Sequence, residues 1–181
     1  MECRLLVRMA GLVAAGGAEE AAMGEIWTYD QAVERRQALA AGGRRLVFTN
    51  GHFDLLHVGH LDYLERARVL GDALFVGIND DDSTRRLKGP GRPLVPAWER
   101  ARLVAALEPV SGVLIFGGDT ADEVIALLRP EIYVKGGDYA SKTLPERPLV
   151  ESLGCQLVLL DLLPGHSTSD LIARIRALPE P

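Results

Sequence analysis

Cysteine is scarce in this chain of 181 residues: Cys3 and Cys155 stand far apart, with no CxxC spacing. That excludes a disulfide framework and a zinc knuckle, and it fits a reducing, cytoplasmic setting. Excess positive charge is also missing, since 20 Lys and Arg face 25 Asp and Glu for a net charge of −5. No broad electrostatic footprint for nucleic acid or an anionic membrane follows, so any phosphate chemistry must rest on a local cluster of cations. Long apolar runs are absent too. The stretch MAGLVAAGGA near the start is short, Gly-rich and preceded by Arg8, too short to span a bilayer and only faintly like a signal peptide. Residues 1–22 are expected to be a disordered leader ahead of a start at Met23, with one domain over 23–181.

Past the leader the segments alternate. YDQAVERRQALAAGG (29–43) reads as a helix stopped by glycines, and RRLVFTN (44–50) as a strand ending in turn residues. VGHLDYLERARVLG (58–71) has helical apolar spacing, and DALFVGIN (72–79) is a second strand. A polar, Gly/Pro-rich loop (79–95) precedes the helix PAWERARLVAALEPV. Three more strands (GVLIFG, EIYVKGGD, CQLVLLDLLPG) alternate with the helices TADEVIALLRP, LPERPLVESLG and STSDLIARIRAL. Continuous apolar strands alternating with helices predict an α/β fold: one Rossmann-like, doubly wound domain with a five-stranded parallel sheet. Ligands bind such sheets beyond the carboxyl ends of the strands, where strand order switches.

The first strand ends in TNGHFDLLHVGH, and three of the four histidines, His52, His57 and His60, fall inside nine residues of it. His57 and His60 stand three apart at a helix start, on one face and over the positive end of the dipole. With Gly59 leaving room for backbone contact, this makes an anion site. A bare capping pair is the plain alternative. Zinc is a weaker one, because no Glu sits between the histidines in HExxH fashion and no third ligand is marked.

GHFDLLHVGH resembles the GxFDxxHxGH signature of the cytidylyltransferase-like nucleotidyltransferases. NDDDSTRRLKGPGRP, VKGGDY and LPGHSTSDLI resemble, in order, further motifs of the D-glycero-β-D-manno-heptose 1-phosphate adenylyltransferases, and the likeness runs from about Tyr29 to Leu178. The resemblance implies attack of a sugar phosphate on the α-phosphorus of ATP, with Mg²⁺ as cofactor and pyrophosphate as leaving group. It implies His57, His60 and Lys88 as catalytic residues. Thr49, Asn50, Gly51, Phe53, Asp54 and Gly59 would hold the nucleotide, with Asp54 also fixing the loop through backbone N–H groups. So would Lys135, Gly136, Gly137 and Asp138 at the fourth strand, and Ser167, Thr168 and Ser169 at the last helix. Arg92, in a mobile cationic lid KGPGRP, and Arg100 would meet the substrate phosphate, while Arg85 and Arg86 read as solvated. A Glu–Arg surface pair is the alternative for Arg100.

Relatives that use CTP with glycerol phosphate carry RYVD where this chain has EPVS (108–111). Heptose enzymes commonly have Cys in place of His52, and Arg or Cys in place of His166. Many relatives fuse this domain to a sugar kinase, so a separate upstream kinase is expected to supply the sugar phosphate. A homodimer could form through Trp27 and Trp98. The rivals are a cytidylyltransferase acting on another small phosphate or phosphonate, and a nucleotide-binding regulator that turns nothing over.

Overall fold

The computed structural model describes residues 24–137 and 144–179. The expected leader, and the expected site residue Asp138, lie outside the described residues. Six strands, β1 (Glu25–Trp27), β2 (Leu46–Gly51), β3 (Ala73–Asn79), β4 (Gly112–Phe116), β5 (Ile132–Gly136) and β6 (Gln156–Leu160), form one sheet. Its order is β1-β4-β3-β2-β5-β6 and every pairing is parallel. The helices are α1 (Tyr29–Ala41), α2 (Val58–Arg68), α3 (Asp81–Lys88), α4 (Ala97–Ala105), α5 (Asp122–Leu128), α6 (Arg147–Ser152) and α7 (Thr168–Arg176).

Period-two alternation along the strands divides the core into two layers. Leu46 and Phe48 of β2 join Phe75, Leu114, Tyr133 and residues of α1, α5 and α6 on one face. Val47 joins Leu74, Val76, Val113, Val134 and residues of α2 and α4 on the other. Both faces of the sheet are therefore covered, as continuous apolar strands require.

Two elements correct the sequence reading. The sheet has six strands rather than five, because EIW pairs with β4 as β1. Three residues are too few to carry a periodic signal, and burial of the Trp27 ring holds the strand instead: it meets Phe75 edge-on at 4.6 Å. Trp27 is only 8% exposed, so it is core and not a dimer contact. The second correction is α3, which occupies half of the expected loop. Its single apolar residue, Leu87, is exposed and only Ser83 and Thr84 are buried, so apolar periodicity could not reveal it. A cap does: Asp80 accepts from the Ser83 backbone N–H at 2.7 Å.

Candidate active site

Strand order reverses between β2 and β5, since from β2 the chain builds outward through β3 and β4, beside the earlier β1, on one side, and then through β5 and β6 on the other. At that switch the carboxyl ends of β2 and β5 and the N-termini of α2 and α7 enclose a cavity of about 210 Å³. His57, His60, Lys135, Ser167 and Thr168 line it, and so do Asn50, His52 and His166.

The two signature imidazoles are stacked, with ring centroids 3.9 Å apart and an interplanar angle of 27°. His57 is the N-cap of α2, in extended backbone, and His60 occupies its first turn. The Phe53 ring leans on His60 at 5.3 Å. The His57 backbone N–H donates to His60 Nδ1 at 3.4 Å, so the proton of neutral His60 sits on Nε2. His57 Nδ1 is buried and has no hydrogen-bond partner among the described residues. A Cβ on Gly59 would stand 3.0 Å from that nitrogen and 3.0 Å from His166 Cβ, so glycine alone leaves the gap between the rings open. Burial, and then the neighbouring His57, push His60 down to about 4. Burial, and then His166, lower His57 as well. At neutral pH both rings are uncharged donors in waiting.

The loop that carries them is strained and pinned. Phe53 and Leu55 have left-handed backbone, at φ 48° and 49°, a region that bulky side chains rarely occupy. Three contacts hold it there. The buried Asp54 carboxylate accepts from the Leu94 and Val95 backbone N–H groups at 2.9 and 3.0 Å and from Arg92 Nε at 2.7 Å. Burial alone would raise this carboxyl, but those bonds outweigh it and keep it below the usual carboxylate range. Arg100, wholly buried, donates to the carbonyls of Val95 and His52 and to Asp81. Thr168 Oγ1 donates to the Asp54 carbonyl at 2.7 Å and ties α7 to the loop.

On the β5 side, Lys135 Nζ donates to Asn50 Oδ1 at 2.8 Å and to Tyr133 Oη at 3.2 Å, and lies 3.6 Å from the buried Glu146 carboxylate. Burial lowers the Lys135 pKa and Glu146 opposes the shift. A Cβ on Gly136 would approach Leu162 to 2.8 Å and the Tyr63 ring to 2.9 Å, so close packing demands glycine there. Gly137 follows with φ 132°, its N–H bonded to the Leu160 carbonyl.

Several expected residues sit elsewhere than the sequence suggested. Thr49 is fully buried, and its hydroxyl is shared with Tyr63 at 2.6 Å rather than turned to the cavity. Arg100 forms no surface pair with a Glu; it is a strut under the loop. Arg92 is engaged by Asp54. Ser167 caps α7 by accepting from the Asp170 N–H at 3.0 Å, and Ser169 is exposed. Lys88 ends α3, exposed, with its charge bearing on both His52 and Lys135. Arg85 and Arg86 pair with Asp82 and Asp119 on the surface, as expected. Sequence reasoning passed over Tyr133 and Glu146. Tyr133 reads as an ordinary strand residue, and Glu146 lies in a stretch without a motif.

The matching family model, described as cytidylyltransferase-like, covers residues 48–173. The chain belongs to the cytidylyltransferase-like family. Within it, the chain is 53% identical to "Bifunctional protein HldE" of Syntrophotalea carbinolica over 143 residues, 79% of this chain and 28% of that protein. It is 48% identical to the protein of the same name from Pelobacter propionicus over 153 residues, 81% of this chain and 31% of that one. The chain thus spans under a third of these relatives. Among solved structures, the "lipopolysaccharide core biosynthesis protein" of Thermoplasma volcanium superposes with a TM-score of 0.56 at 25% identity, covering 67% of this chain and 98% of that one. Pantothenate synthetase of Thermus thermophilus, at 17% identity and TM-score 0.56, shares the fold; the match covers 78% of this chain and 62% of that one.

Among the described residues no carboxylate lines the cavity, and no three His, Cys, Asp or Glu side chains converge on one point. Those residues do not make a hard-cation site of their own. No helix among the described residues is long and apolar enough to cross a membrane.

Proposed function

We propose that the protein transfers an adenylyl group from ATP to D-glycero-β-D-manno-heptose 1-phosphate, forming an ADP-heptose and pyrophosphate. The observation that carries this reading is the stacked pair His57 and His60 at the α2 N-terminus, both of which line the cavity. A polyanion suits such a wall, because neutral imidazoles and helix N–H groups are hydrogen-bond donors held where water is partly excluded.

In the reaction a phosphate oxygen of the sugar phosphate attacks the α-phosphorus. A P–O bond forms, the bond to the oxygen bridging toward the β-phosphate breaks, and pyrophosphate leaves with that electron pair. The nucleophile is already an anion, so the protein supplies position and charge neutralisation rather than a strong base. His60 Nε2–H and the His57 ring donate to α- and β-phosphate oxygens, and Lys88 swings in from the end of α3. Gly136, Ser167 and Thr168 border the space for the nucleoside. ATP would come with its own Mg²⁺, which would supply charge neutralisation at the triphosphate. The reading further assigns a cytoplasmic enzyme, a kinase upstream to make the 1-phosphate, and a homodimer contact that includes the exposed Trp98.

The test is pyrophosphate release with Mg²⁺ and the heptose 1-phosphate, with ATP and CTP in separate assays. Release with ATP, lost in His57→Ala, is expected. Release with CTP alone would overturn the nucleotide, and binding without release from either would leave a regulator.

A further inference from the structure

The reaction above leaves two imidazoles of the cavity wall unused, His52 and His166, and of these His52 immediately follows β2. Its placement is built. The buried Arg100 guanidinium donates to its backbone carbonyl, and its Nδ1 lies 3.0 Å from Thr84 Oγ1. Thr84 is itself wholly buried and directs its hydroxyl proton at the Asn79 carbonyl, at 3.5 Å. Assigning the Thr84 proton to that carbonyl puts the His52 proton on Nδ1 and leaves a lone pair on Nε2. Burial and the nearby charges of Lys88, Arg100, Lys135 and Arg92 hold the ring neutral, at about 4, so that the lone pair persists at neutral pH.

The rest of the wall is rich in donors or already paired. Lys135 donates, Asn50 Oδ1 is taken up by Tyr133 and Lys135, and Thr168 Oγ1 donates to Asp54. A ring nitrogen with a lone pair repels phosphate oxygens and fits a hydroxyl. It is held from the α3 side, by Thr84, whereas Gly136, Ser167 and Thr168, which border the nucleoside space, belong to β5 and the start of α7.

We propose that His52 is a specificity-determining residue whose Nε2 accepts a hydrogen bond from a hydroxyl of the acceptor sugar, with Thr84 fixing the ring and its tautomer. This rests on the adenylyl-transfer reading. Sugar hydroxyls also occur on ATP ribose, and the experiment separates the two sources.

Michaelis constants for the sugar phosphate and for ATP would be measured separately in wild type, His52→Phe, His52→Gln and Thr84→Val. His52→Phe keeps a ring without the acceptor, and kcat/KM for the sugar phosphate is expected to fall about tenfold while the KM for ATP holds. His52→Gln, which restores an acceptor oxygen, recovers most of the loss. Thr84→Val shows a smaller loss in the same constant. A rise confined to the KM for ATP would assign His52 to the ribose and overturn the proposal. So would four enzymes with the same sugar-phosphate constants. An equal loss in His52→Phe and His52→Gln would reduce the role to packing and overturn it as well. A wild-type protein that releases no pyrophosphate removes the adenylyl-transfer reading and this inference together, whereas an active wild type with indifferent His52 variants removes this inference alone.

Discussion

A neutral imidazole beside a triphosphate has every reason to gain a proton. His57 and His60 are held below their usual range by burial, so they are uncharged in the free protein at neutral pH. An anion within reach reverses that bias. ATP binding near pH 7 is therefore expected to take up protons, seen as a calorimetric heat that varies with the ionisation enthalpy of the buffer, and His57→Ala should abolish part of the uptake. The same variant should lower kcat by a factor of about 10²–10³, since a donor that acts on developing charge is worth about 3–4 kcal/mol. Stability carries a matching signature. His52 and His60 fall to about 4 on folding from an ordinary 6.5, so below 6.5 the unfolded chain binds protons first. Their contribution is complete above about 6.5 and drains away as pH falls toward 4. Urea midpoints should therefore decline over that window, and less steeply in His60→Gln. The histidines were legible in the sequence because spacing alone puts them on one helix face. Arg100 was not: a charged residue one step from Glu99 and two from Arg102 reads as helix surface, and only the folded loop shows that its guanidinium is fully buried, donating to the His52 and Val95 carbonyls.

At the level of elements, the loop after β2 is the part whose shape the site depends on. It keeps two bulky residues in left-handed backbone because Asp54 gathers Arg92 and two backbone N–H groups from the segment after α3. Asp54→Asn leaves Arg92 facing an amide and removes the charge that holds both N–H groups. Breaking a buried pair of this kind costs about 3 kcal/mol. A lowered urea midpoint should accompany a loss of activity larger than the loss of folded protein accounts for. The reach of Asp54 to backbone N–H groups could be anticipated from the motif. That the anchored strip was 92–95 could not, because long-range partners leave no mark in local spacing. β1 and α3 escaped for the opposite reason: one is too short and the other too polar to show a period.

The whole molecule separates stability from chemistry along its strands. Gly112 begins β4 at the end of the sheet away from the cavity, and a Cβ there would come within 1.9 Å of the Trp27 ring. Gly112→Ala must displace the ring that seals β1 to the sheet, and overpacking of this kind costs about 1–3 kcal/mol. Thermal unfolding should drop by several degrees, while kcat/KM at a temperature well below the transition stays near wild type. A matching fall in kcat/KM would show that β1 and the cavity are coupled.

The chain's net charge of −5 and a cavity wall that carries no carboxylate among the described residues belong together. The overall negative charge repels polyanions at a distance, and the cations nearest the site, Lys135 on the cavity wall and Lys88 at the end of α3, attract them close by. Such a field works as a funnel: it discourages nucleotides from settling at random and delivers them to the cavity. Association should then slow with added salt even though protein and ligand are both negatively charged overall, the opposite of what two like-charged spheres would do.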